Sequence, residues 1–131
     1  MPEPEKLNEL GWTKRMWRFL QLQYPDDGLR IGRERQLWDR SRVDILTDRL
    51  AIEVDWAYKW AEAIGQSAWY SFNFRRQQGI CLLSGDLKDD ARHIYRAQVI
   101  CALKEIEFWL VDTSKNVILI DNDPYDLPTE D

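Results

Sequence analysis

Between residues 42 and 70 the chain alternates with a period of two and then switches to a helical period. This stretch constrains the fold more than any other. Arg42-Val43-Asp44-Ile45-Leu46 and Ala51-Ile52-Glu53-Val54-Asp55-Trp56 read as strands, and Thr47-Asp48-Arg49-Leu50 between them has the length of a tight hairpin. Residues 59–72 then read as a strong helix. Both strands carry acids that an apolar strand does not need.

With the turn centred on Asp48 and Arg49, Ile45 faces Ile52 and Asp44 faces Glu53. Directly opposed residues of an antiparallel pair have Cβ atoms roughly 4.5–5.5 Å apart. Two carboxylates at that separation repel, and the sheet gains nothing from them unless a cation sits between. Asp55 follows Glu53 by two residues and so shares its face. Three carboxylates on one patch are hard oxygen donors suited to Mg²⁺ or Mn²⁺. A register slip of one residue would separate Asp44 from Glu53.

On the helix, Lys59, Glu62, Gln66 and Tyr70 follow at helical spacing and share a stripe, with small Ala63 among them. Trp60, Ile64, Ala68 and Phe72 flank that stripe and are expected to pack on the sheet. The helix begins close after Asp55, so Lys59 is expected near the carboxylates, where an ammonium can steady an attacking hydroxide or a phosphate.

The remaining elements follow from the same reading. Residues 4–24 have apolar side chains at helical spacing, with a turn at Pro25-Asp26-Asp27-Gly28. Residues 29–38 read as a strand ending in a turn at Asp39-Arg40-Ser41, and residues 79–84 as a buried strand. Residues 86–104 read as a helix with Ile94, Ala97, Val99, Ile100 and Leu103 available for burial. Residues 106–111 and 117–120 read as a final strand or hairpin. The fold class expected is therefore α/β, a mixed sheet made of an antiparallel meander plus a parallel strand, with helices on both faces. One domain over residues 1–120 is followed by an acidic tail, 121–131, expected to be a mobile or docked extension.

Composition limits the function classes. The net charge is −5, with 18 Lys and Arg against 23 Asp and Glu, which argues against a nucleic-acid protein. The five acids Asp121, Asp123, Asp126, Glu130 and Asp131 account for that whole charge, leaving the rest neutral. Lys14, Arg15, Arg18, Arg30, Arg33, Arg35, Arg40 and Arg42 concentrate in one stretch, a candidate phosphate-contacting surface. No apolar run is long enough for a membrane span and the first residues lack a signal-like segment, so a cytoplasmic protein is expected. Cys81 and Cys101 sit in apolar runs and read as buried hydrophobes. His93 is the lone histidine, so a zinc cluster is not expected. Ser84-Gly85-Asp86 reads as a helix cap, and no glycine pattern for a nucleotide engine is present. Among the seven tryptophans, Trp12, Trp17 and Trp38 lie among basic residues that would suit stacking on unpaired bases.

Arg42-Val43-Asp44, Ala51-Ile52-Glu53-Val54-Asp55 and Lys59-Trp60-Ala61-Glu62-Ala63-Ile64-Gly65-Gln66 together resemble the PD-(D/E)XK nuclease superfamily, the restriction-endonuclease-like fold. Gln66-x-x-x-Tyr70 resembles the helix motif of its RecB-like branch. The resemblance implies that Asp44 is the first metal-binding aspartate and Glu53 the acid of the second half-motif. The family has lysine two residues later, where this chain has Asp55; Lys59 on the adjoining helix is the implied substitute. The family adds a glutamate from its first helix, for which Glu9, with Glu5 behind it, is the counterpart; Glu34 reads as a strand-surface residue. The implied activity is hydrolysis of DNA with Mg²⁺, or Mn²⁺ in its place, held by Asp44, Glu53 and Asp55. Lys59 would act with them, and Arg42, Glu62, Gln66 and Tyr70 would bind DNA or organise the site.

The small size points to structure-selective or weakly specific endonuclease cutting, to junction resolution by a homodimer, or to targeting by a protein partner. Two other classes stay open. One is a non-catalytic nucleic-acid-binding or assembly module on the same fold, which the missing strand lysine favours. The other is an acidic inhibitor of a DNA-processing system, which the tail favours.

Overall fold

The computed structural model describes residues 7–25 and 32–129. Glu5, Arg30, the ends of the predicted first helix and first strand, most of the predicted turn after residue 25, and Glu130 and Asp131 lie outside the described residues. Within them, helix α1 spans Glu9–Gln23, strand β1 Gly32–Gln36, β2 Arg42–Leu46 and β3 Leu50–Trp56. A single 3-10 turn, Ala57–Lys59, leads into helix α2, Trp60–Phe74. Strand β4 covers Gln77–Ser84, helix α3 Ala91–Lys104, β5 Glu107–Asp112, β6 Val117–Ile120 and β7 Asp123–Asp126.

The sheet keeps the order of the chain from β1 to β7. Strands β1 to β3 form an antiparallel meander, β3, β4 and β5 run parallel, and β5 to β7 return to antiparallel pairing. The two parallel steps are those that contain α2 and α3, because parallel neighbours need a crossover. Alternation along the strands makes two main cores, and Val43, Ala51 and Tyr70 form a smaller third cluster. Ile52 and Val54 of β3, Cys81 and Leu83 of β4, and Val111 of β5 pack with Trp12, Met16, Phe19 and Leu20 of α1. Ile80, Leu82 and Leu110 pack instead with Ala63 of α2 and Ile94, Ala97 and Cys101 of α3. The result is an α/β fold whose central strands are buried on both sides.

Local chemistry accounts for the element ends. Asn8 caps α1, its side-chain oxygen accepting the Gly11 N–H at 2.9 Å, and Glu9 stands in the first turn, where the helix dipole favours an acid. The β2–β3 hairpin is held by Thr47, whose Oγ1 accepts the N–H groups of Arg49 at 3.1 Å and Leu50 at 2.8 Å. Its backbone N–H donates to Leu50 O at 2.8 Å. That turn places Ile45 opposite Ile52 and Leu46 opposite Ala51, the register expected from the sequence.

Two helix expectations need correction. Helix α3 starts at Ala91 and not at residue 86. The Asp86 carboxylate takes the N–H groups of Lys88 and Asp89, both at 3.1 Å, and holds a separate turn there. Within α3, Ile94, Ala97 and Cys101 are buried, whereas Val99 and Leu103 are exposed. Helix α2 is rotated from the expected setting: Ala63, Ser67 and Tyr70 form its buried line, Trp60 and Ile64 are partly buried, and Ala68 and Phe72 face out. Ser67 makes this possible. Its hydroxyl donates to Ile64 O at 3.0 Å and accepts from Gln78 Nε2 at 2.8 Å, so a polar side chain is satisfied inside.

The acidic segment docks as the last strand. Asp121 and Asn122 both have positive φ, 50° and 69°, the geometry of the tightest hairpins, which Asp and Asn tolerate. Strand β7 then pairs with β6, and Leu127 is buried in the α1-side core. No helix among the described residues is long and apolar enough to cross a membrane.

Candidate functional site

Past the Ile45–Ile52 pair the β2–β3 ladder gives way to side chains. The Asp44 N–H donates to Glu53 Oε1 at 3.3 Å, and the Val54 N–H donates to Asp44 Oδ2 at 2.8 Å. Each acid thus reaches across to the opposite strand's backbone. Glu53 is buried and Asp44 half-buried. Burial first, and then the Asp44 charge, push the Glu53 carboxyl above neutrality; burial also raises Asp44, against the hydrogen bonds that lower it. Like charges this close disfavour joint ionisation in a desolvated site, which is the direction of both shifts.

Asp55 lies on the same strand, buried, with Oδ1 accepting the Trp56 N–H at 2.8 Å. Burial raises its pKa, opposed by that hydrogen bond and by Lys59. Among the described residues, no three acidic, histidine or cysteine side chains stand together as a ready metal cage. The three carboxylates thus divide into a cross-strand pair and a neighbour.

Glu9 completes the acidic group. Its pKa rises from 4.5 to about 7, first through burial and then through the charges of Asp55 and Asp44, with Lys59 acting the other way. The first-helix glutamate expected from the resemblance therefore lies within electrostatic reach of the site. Lys59 is exposed at the end of the 3-10 turn, its ammonium 5.7 Å from the Tyr58 ring centre. It is not on the α2 stripe, but it acts electrostatically on both Asp55 and Glu9. Glu62 is exposed and bears on the same two groups.

Tyr70 is buried, and its phenol lies within hydrogen-bonding reach of the Ser41 side chain. Burial raises its pKa, and the Glu53 and Asp44 charges add to the rise. Gln66 is exposed, as is Arg42 at the start of β2. Of the predicted stripe, then, Tyr70 approaches the acid pair, Lys59 and Glu62 approach Asp55 and Glu9, and Gln66 stands apart in solvent.

Glu34 occupies the β1 position opposite Asp44 and has a φ of 56°. It is exposed, as expected of a surface residue, and its charge adds to the rise in Asp44. Its carboxylate lies 3.8 Å from Arg33. The sequence reading missed Ser41 and Asp39 as links to Tyr70: the Ser41 hydroxyl donates to Asp39, whose Oδ2 accepts the Trp69 indole N–H at 3.1 Å. Their signal was present in the polar turn just before Arg42, which reads as a loop until the strand register is known.

Asp44, Glu53 and Asp55 are hard oxygen donors by type, but among the described residues no three of them stand together as a cation cage. Comparison of this chain with protein-family models, with curated proteins and with solved structures gave no match in any of the three.

Proposed function

We propose that the chain is a small Mg²⁺-dependent deoxyribonuclease with a restriction-endonuclease-like core of the PD-(D/E)XK type, cutting DNA internally with structural or weak sequence selectivity. The observation that carries this reading is the Asp44–Glu53 pair, two acids that interrupt a strand ladder and each take a backbone N–H of the opposite strand, with Glu53 buried. Structural acids do not gain from such a setting, whereas cation ligands do. The element order from α1 to β4, with the acids on the second and third strands, supports the same reading.

Asp44 and Glu53 would hold the cation, with Asp55 beside them, and Mn²⁺ would substitute for Mg²⁺. When bound, the cation supplies Lewis acidity toward the phosphate and makes water more acidic. Lys59 supplies positive charge at the mouth of the site, where it steadies the phosphate in place of the strand lysine. Glu9, with a pKa of about 7, holds or releases a proton at neutral pH. Tyr70 and Ser41 fix the inner wall of the site, and the exposed Arg42 meets the DNA backbone.

A second reading is a non-catalytic DNA-binding, assembly or inhibitory protein on the same fold. Asp55 favours it, because this acid stands where the family has its lysine and is turned to the Trp56 N–H.

Nicking of supercoiled plasmid in Mg²⁺, Mn²⁺ and EDTA tests the enzyme reading. Wild type should cut with either cation and not with EDTA, and Asp44→Ala and Glu53→Ala should not cut. No cutting by wild type of any DNA form in Mn²⁺ would favour the second reading.

A further inference from the structure

Three aromatic side chains stand outside both cores. Trp38 and Phe72 are each 76% exposed and Trp69 is 40% exposed. Trp38 meets Trp69 edge-on at 6.2 Å between ring centres, and Trp69 lies at 30° to Phe72 at 6.4 Å. Water-facing rings of this size carry a hydrophobic cost without a partner.

These rings are held in place by their polar edges. The Trp38 indole N–H donates to Asn73 Oδ1 at 3.0 Å, and Asn73 Nδ2 donates to Trp69 O at 2.8 Å. The Trp69 indole N–H donates to Asp39. With the edge donors satisfied by the protein and Trp69 packed between its neighbours, the exposed surfaces of Trp38 and Phe72 are what remain for a ligand. The group also borders the acid-bearing strands: Tyr70, next to Trp69 on α2, is buried with Val43 of β2 and Ala51 of β3, and Asp39 accepts from Ser41 just before β2. Arg40 and Arg42 are exposed on either side of Ser41, in the segment that follows Trp38 and Asp39 and leads into β2.

Resting on the nuclease reading, we propose that Trp38, Trp69 and Phe72 form a stacking platform for the unpaired bases of single-stranded DNA entering the acidic site. The occupant follows from the surface chemistry. Apolar ring faces match base faces, and Arg40 and Arg42 match the phosphates between them. In a duplex the base faces are already covered by their neighbours, so the platform selects a strand end, flap or gap over continuous double helix.

The test is fluorescence anisotropy of a short labelled oligothymidine strand with the full chain in EDTA, where binding is read whether or not the protein cuts. Wild type should bind the strand, Trp38→Ala and Phe72→Ala should each weaken binding about tenfold, and Trp38→Phe should restore most of it. An abasic strand of equal length should bind wild type as weakly as oligothymidine binds Trp38→Ala. Because both rings are exposed, circular dichroism should show the variants folded. Absence of strand binding by wild type, equal binding by wild type and the alanine variants, or equal binding of abasic and base-bearing strands would overturn the platform. So would sedimentation showing that Phe72→Ala splits a wild-type dimer, which would make the rings a self-association surface. Plasmid nicking by wild type judges the nuclease reading separately, since it does not depend on how single strands bind in EDTA.

Discussion

Glu53 Oε1 accepts the backbone N–H of Asp44 at 3.3 Å, where a continued strand ladder would offer a backbone carbonyl. The arrangement sets two acids against each other at a break in the ladder, where burial raises both pKa values and makes the fold's stability depend on pH.

The cation-free protein should become more stable as pH falls from about 8 to about 5. Glu9 has a folded pKa of about 7 against 4.5 for the free side chain, and Glu53 and Asp44 are raised as well. Between those values the folded state binds more protons than the unfolded chain. The stabilisation is complete below the unfolded pKa and is lost as pH rises through the folded one. Thermal melts in EDTA should show this slope, and Mn²⁺ should flatten or reverse it, because the cation displaces protons and binds better at high pH. A cation-free melting temperature that climbs with pH over this range would contradict the assignment.

Asp44→Asn should stabilise the protein while removing activity. The amide oxygen can still accept the Val54 N–H that Asp44 takes at 2.8 Å, and the charge facing Glu53 is gone. A gain on the order of 1 kcal/mol, or about 4 °C in melting temperature, is expected. Nicking should fall by more than about a hundredfold. A destabilised Asp44→Asn protein would mean that the acid has a structural purpose.

Lys59→Ala should reduce turnover roughly a hundredfold, the scale of losing one charged group beside a reacting phosphate, with cation affinity nearly unchanged. Lys59 also lowers the Glu9 and Asp55 pKa values, so residual activity should rise at a higher pH than in wild type. Wild-type turnover in this variant would remove Lys59 from the site.

Thr47→Ala should cost about 1 kcal/mol, since Thr47 Oγ1 accepts two turn N–H groups. Because this turn sets the acid register, cation affinity should fall with stability. Chemical denaturation and cation titration on the same sample check both.

Much of the fold was legible where local chemistry and periodicity agree. The turn at Thr47 and the alternation in β2 and β3 give the register directly, and with it the Asp44–Glu53 contact. Two matters depended on tertiary packing. The rotation of α2 turns on Ser67, whose burial requires Gln78 from β4, a partner remote in sequence; the apolar count alone placed Phe72 inward. Likewise Asp121-Asn122 forms a hairpin because β6 offers an open edge, whereas the string of acids alone read as a tail. The acids were readable by type and spacing, but the raised pKa values of Asp44, Glu53 and Glu9 depend on burial, which one-dimensional spacing does not report.

A divalent cation bound at Asp44 and Glu53 should displace a proton from the pair. Calorimetric titration of Mn²⁺ near neutral pH, in two buffers of different ionisation enthalpy, measures cation binding and proton release together. Wild type should bind saturably with roughly one proton released per cation, and Glu53→Gln should lose binding. Binding without proton release, or wild-type affinity in Glu53→Gln, would contradict the cation site.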